Sequence, residues 1–128
     1  MPKIIKRRLD DMWRKPYGEW GNSCEPTAQQ IQTAIDEKRF ETRPFQKDEQ
    51  IIYQECWKNA GGDVKKFCDL VTKYHAERVA YFVENGLGDP IKLKEDGKEI
   101  DEGSHRYLAA KHMKEVTIDV EVNDDPVP

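Results

Sequence analysis

The chain is poor in apolar residues: they make up 37% of its 128 positions, and charged residues make up 36%. So small an apolar share allows only a modest core, with much of each helix facing water. No apolar run approaches the ~18 residues needed to span a bilayer, which argues against a membrane partner. The first residues are charged and lack the apolar stretch of a secretory signal. Cysteine is scarce, limited to Cys24, Cys56 and Cys68. Three cysteines cannot all pair within one chain, and Cys56, Cys68 and His75 are too widely and irregularly spaced for a zinc site. They are expected to be buried, reduced thiols in a cytoplasmic protein. Repeats and low-complexity stretches are also missing, and the length suits one domain over 1–128.

Net charge is small, but charge is unevenly placed. The net charge of −4 argues against a protein that holds nucleic acid by bulk electrostatics alone. Residues 1–15 nevertheless carry six basic and two acidic groups, and the remainder is strongly acidic. Lys3, Lys6, Arg7, Arg8, Arg14 and Lys15 could form a basic arm for a DNA backbone or an acidic partner. They could equally be a solvated terminal segment.

The pattern along the chain predicts a mixed α/β (α+β) fold with a small sheet. Residues 3–6 read as a short strand, and residues 12–24 as a loop pinned by Trp13 and Trp20. Thr27 with Gln30 resembles a capping box opening a helix through about Lys38. Pro44 keeps Arg43 out of helix. Asp48 is a candidate cap for a second helix, which carries Ile52, Cys56 and Ala60 on one stripe and stops at Gly61-Gly62. Asp63 can cap a third, expected to break or bend near Lys73-Tyr74. Ile91–Lys94 and a return ending at Ile100 flank the hairpin signal Asp96-Gly97. A helix over about 105–113 and a half-buried alternating strand, Val116 to Val122, follow. The tail after Val122 should be loose.

The most informative segment is Glu102-Gly103-Ser104-His105-Arg106-Tyr107-Leu108-Ala109-Ala110. It sits where a strand hands over to a helix. Glycine allows close backbone approach, serine is a natural N-cap, first-turn amides favour anions, and arginine offers a phosphate-matched fork. His105 could donate to phosphate or act as an acid or base, or could simply be exposed. Arg106 could instead hold the loop through Asp101 or Glu102. Asp101 and Glu102 could hold Mg²⁺ or be solvated charges. Glu84 is a candidate general base or a surface residue.

From about Tyr74 to Val122 the chain resembles the ParB/sulfiredoxin superfamily. The order matches: a helix (Ala76 to Asn85), a glycine-rich exit into Pro90-Ile91, the hairpin, a Gly-x-x-Arg-x-x-Ala helix start at Gly103–Ala109, and a closing strand. The resemblance covers about 50 residues; residues 1–73 look like a helical elaboration and 123–128 like a tail. It implies a phosphate-binding loop at Gly103–Arg106 that takes a nucleotide such as ATP or CTP with Mg²⁺. It also implies a second wall from Arg78, Tyr81 and Asn85, on one helix face.

Sulfiredoxins carry Gly-Cys-His-Arg at this loop. Here Ser104 fills the cysteine position, and a hydroxyl cannot replace the sulfur nucleophile, so sulfiredoxin activity is not expected. Partition function is not expected either, since nothing after Val122 reads as a helix-turn-helix. The leading expectation is a nucleotide- or phosphate-binding domain that could perform phosphoryl transfer or nucleotide hydrolysis, with His105, Glu84 and Asp101 as candidate catalytic groups. The alternatives are a DNA-binding protein or nuclease using the basic arm, and a non-catalytic protein-binding regulator of the phage or mobile-element type.

Overall fold

A computed structural model describes residues 2–43 and 49–123. The described residues form a small α+β fold of four α-helices, a four-stranded mixed sheet and a two-stranded sheet. It divides into two compact units, Met1–Lys15 with Phe82–Pro128, and Pro16–Tyr81. No helix among the described residues is long and apolar enough to cross a membrane.

The first unit holds the larger sheet, built from β1 (Pro2–Arg8), β4 (Ile91–Leu93), β5 (Ile100–Glu102) and β6 (Thr117–Asn123) in the order β1-β6-β4-β5. β1 runs antiparallel to β6 and β6 parallel to β4, which places Val120 opposite both Ile5 and Ile91. Of the basic terminal residues, Lys3, Lys6, Arg7 and Arg8 therefore stand on a strand of the sheet, and Arg14 and Lys15 lie beyond it. β6 behaves as its alternation predicts, with Ile118 and Val120 buried and Asp119 exposed. The core joins Leu9, Met12, Ile91, Ile100, Tyr107, Ala110, Ile118 and Val120. The β4–β5 turn forms as its Asp-Gly signal predicts: Asp96 accepts from the amides of Lys98 and Glu99, and Gly97 has φ +70°. α4 (Ser104–His112) follows β5 directly.

The second unit contains a short hairpin, β2 (Gly18–Glu19) with β3 (Asn22–Ser23), where the sequence reads only as a loop. α1 (Ala28–Asp36) opens with both halves of the predicted Thr27–Gln30 capping box. α2 (Gln50–Ala60) ends at left-handed Gly61, and Glu49 stands at its N-cap; Asp48, the expected cap, lies outside the described residues. Asp63 accepts from the amide of Lys66 and starts α3 (Val64–Asn85), whose residues beyond Tyr81 belong to the first unit. The break expected at Lys73-Tyr74 does not occur. α3 is one continuous helix of 22 residues, because nothing between Val64 and Asn85 is a glycine or proline that would interrupt it. Cys24, Ala60, Phe67, Cys68 and Val71 form this unit's core.

Candidate functional site at the start of helix α4

The turn between β5 and α4 has its shape because of Gly103. Its φ of +106° and ψ of +24° are left-handed, and an added Cβ would lie 2.4 Å from Ile91 Cγ2. Glycine is thus required by the packing of the loop on β4 as much as by its backbone. Gly103, not Ser104, is the N-cap, and no side chain caps the helix. The first helical hydrogen bond runs from the Tyr107 amide to the Gly103 carbonyl at 2.9 Å. The amides ahead of it have no acceptor within the helix, and no acidic residue stands in the first turn.

Ser104, released from capping, accepts a 2.5 Å hydrogen bond from Arg14 Nε. Two sets of contacts carry Arg14 there. Trp13 bridges to β5, its amide donating to the Lys98 carbonyl and its carbonyl accepting from Ile100. Tyr107 donates its hydroxyl to the Leu9 carbonyl at 3.1 Å, tying α4 to the same segment. Arg14, a candidate for the DNA-binding arm, therefore stands at the start of α4. Its position ninety residues away in the chain left no local signal of this.

Arg106 does not present its whole fork. Its Nη1 donates to the carbonyls of Asp89 and Pro90, holding the entry to β4. Burial lowers the guanidinium pKa, while Asp89 and Glu102 act to raise it. Nε and Nη2 make no hydrogen bond among the described residues. His105 is buried, whereas Glu84 and Asp101 are exposed, so the three do not share an environment suited to one catalytic step. Asp101 and Glu102 are adjacent on β5, and alternation sends them to opposite faces, which disfavours joint binding of Mg²⁺. Asp101 lines a shallow, open depression with Leu93, Lys94, Glu95 and Asp96. Glu102 instead lies 3.8 Å from Lys92 Nζ, which also approaches Glu121.

The remaining predicted residues have other roles. In the second unit, Arg78 is buried, and its Nη1 donates to the carbonyls of Arg43 at 2.6 Å and Glu41 at 3.4 Å. Its guanidinium lies 5.9 Å from the Tyr74 ring centre. It is a core cation rather than a presented nucleotide contact. Tyr81 is half-buried in that unit; Asn85 is exposed at the end of α3 in the other. Nearby, His75 is fully buried, stacked on Tyr17 at 3.5 Å and bonded through Nε2 to the Tyr53 hydroxyl at 2.8 Å. Burial pushes the Glu49 carboxyl above its usual range, against a hydrogen bond from Tyr74 and the charge of Arg78.

Of the basic terminal residues, Lys6 pairs with Asp119 and Arg8 with Asp10. Arg7 donates to the Gly97 carbonyl at 2.5 Å. Lys3 and Lys15 are exposed.

The fold and this loop define a small α+β protein with a cationic, uncapped helix start. Comparison with protein-family models, curated proteins and solved structures finds no match.

Proposed function

We propose that the chain is a phosphate-recognising protein that binds a nucleotide or a related phosphate ester at Ser104–Arg106, in the manner of the ParB/sulfiredoxin-like domains its C-terminal half resembles. The carrying observation is the Arg14 guanidinium seated on Ser104 at the uncapped start of α4. Helix-start amides and a guanidinium are complementary to a phosphate group, and both act at short range. Arg106, half-committed to backbone carbonyls, fixes the loop and adds positive charge. Of the two carboxylates that act on Arg106, Asp89 and Glu102, Glu102 is offset by Lys92.

Binding is better supported than catalysis. Phosphoryl transfer or hydrolysis needs an acid or base at the ligand, and His105, the candidate within this helix start, is buried. The DNA reading is weaker, because Lys6, Arg7 and Arg8 are occupied within the first unit. The test is thermal denaturation with ATP, CTP, GTP or ADP, with and without Mg²⁺. A ligand at about 100 times its Kd adds about 2.7 kcal/mol to stability. The proposal predicts such a gain with at least one phosphate compound and its loss in Arg14→Ala. No gain with any of them contradicts it. A gain with DNA that collapses as salt rises would favour the alternative.

A further inference from the structure

Cys24 follows β3, and Cys68 lies one turn into α3 beyond Val64. They are 44 positions apart in sequence, yet their Sγ atoms are 2.7 Å apart. A disulfide bond is about 2.05 Å long, so closing the remaining gap needs only a small side-chain rotation. Both side chains are enclosed, with Cys24 at 0% and Cys68 at 6% exposure, beside Ala60, Phe67 and Val71. Carbonyls accept from these weak S–H donors, Ser23 from Cys68 at 3.0 Å and Asn22 from Cys24 at 3.9 Å, and the Glu19 backbone also approaches Cys24. Little is lost when those protons leave.

We propose that Cys24 and Cys68 form a reversible disulfide that ties the β2–β3 hairpin to helix α3, leaving Cys56 as the one thiol. The reaction is exchange with a small-molecule disulfide. The Cys68 thiolate, from the less enclosed residue, attacks one sulfur of that disulfide, breaking its S–S bond and expelling one thiolate. The Cys24 thiolate then attacks Cys68 Sγ, forming the internal bond and expelling the second thiolate. The two protons given up by the cysteines end on the two released thiols. The cysteine pair is oxidised and the external disulfide is reduced.

Burial, and the bond to Cys68, push the Cys24 thiol up to about 12, so thiolate is scarce. Exchange is accordingly slow in both directions, and the finished bridge is shielded from reductants. The tie has a structural consequence in the second unit. The Cys24 amide donates to the Tyr17 carbonyl at 3.0 Å, and Tyr17 stacks on His75 of α3. The bridge would fix the strand that holds this stacked pair.

The experiment treats the full chain with oxidised glutathione, alkylates remaining thiols, and reads intact mass and non-reduced peptides. The expected product has one alkylatable thiol, Cys56, and a single cross-linked peptide pair joining Cys24 to Cys68. Closing so long a loop should raise Tm by roughly 10 °C, and dithiothreitol should reverse the gain. Cys56→Ser must retain the bridge, and Cys68→Ser must abolish it. Three alkylatable thiols after prolonged oxidation, a bridge through Cys56, or persistent glutathione adducts on Cys24 or Cys68 would overturn the proposal. Because Cys56→Ser leaves the pair intact, it keeps the test decisive even where Cys68→Ser fails to fold.

Discussion

Replacing Gly103 with alanine tests how the loop is built. Two costs add. The backbone at φ +106° is one that residues with a Cβ rarely adopt, and such strain costs about 1–3 kcal/mol. The new Cβ would lie 2.4 Å from Cγ2, 2.8 Å from Cβ and 3.2 Å from Cα of Ile91. Ile91 is fully buried on β4 beside β6, so it has nowhere to retreat. Overpacking of this kind typically costs about 1–3 kcal/mol. Gly103→Ala should therefore lose about 3 kcal/mol, or roughly 10 °C in Tm.

Urea and thermal denaturation measure the loss, and Gly88→Ala is the control. Gly88 has φ +69° and open space around it, so only a backbone cost of about 1 kcal/mol is expected there. A double-mutant cycle isolates the contact. In an Ile91→Ala background the Cγ2 clash is gone, and Gly103→Ala should cost at least about 1 kcal/mol less than in the wild type. A Gly103→Ala loss no larger than that of Gly88→Ala, or strict additivity with Ile91→Ala, would refute the argument.

Three further outcomes follow from the fold. Thr27→Ala removes the side-chain half of the capping box, the 3.1 Å bond that Thr27 Oγ1 accepts from the Gln30 amide, and should cost about 1 kcal/mol by urea denaturation. Lys73 is exposed in the middle of continuous α3, so Lys73→Gly should be about 1 kcal/mol less stable than Lys73→Ala; equal stabilities would restore the break. Burial raises the Glu49 carboxyl pKa above its ordinary 4.5, so the folded state holds that proton more tightly than the unfolded chain. The associated stability is present below pH 4.5 and is lost as pH rises through the folded-state pKa. Glu49→Gln should accordingly gain on the wild type as pH climbs from 4 toward 7, read as a widening Tm difference; a constant difference would contradict the burial argument.

Local chemistry was legible in the sequence and long-range chemistry was not. The Asp96-Gly97 turn, the Thr27–Gln30 box and the alternation of β6 each depend on neighbours within a few residues. The reading of α3 failed because Tyr74, His75, Ala76, Arg78, Val79 and Ala80 are buried nearly all round the helix. Such burial erases the one-sided stripe that signals continuity. Ser104 was misread as the cap because serine favours that place, while the packing that makes Gly103 the cap comes from Ile91, twelve positions back. Arg78 was misplaced for a similar reason, since its acceptors are carbonyls 35 and 37 residues away. Arg14 reaches Ser104 through the bridge at Trp13 and the Tyr107–Leu9 bond, which no periodicity announces.

Phosphate binding at the start of α4, as proposed, is followed residue by residue by titrating the ¹⁵N-labelled chain with ATP and reading amide shifts. The account predicts saturable shifts concentrated on Ser104, His105 and Arg106, competed by inorganic pyrophosphate and abolished in Arg14→Ala. Shifts that are absent there, or that centre on another part of the chain and survive Arg14→Ala, would contradict it.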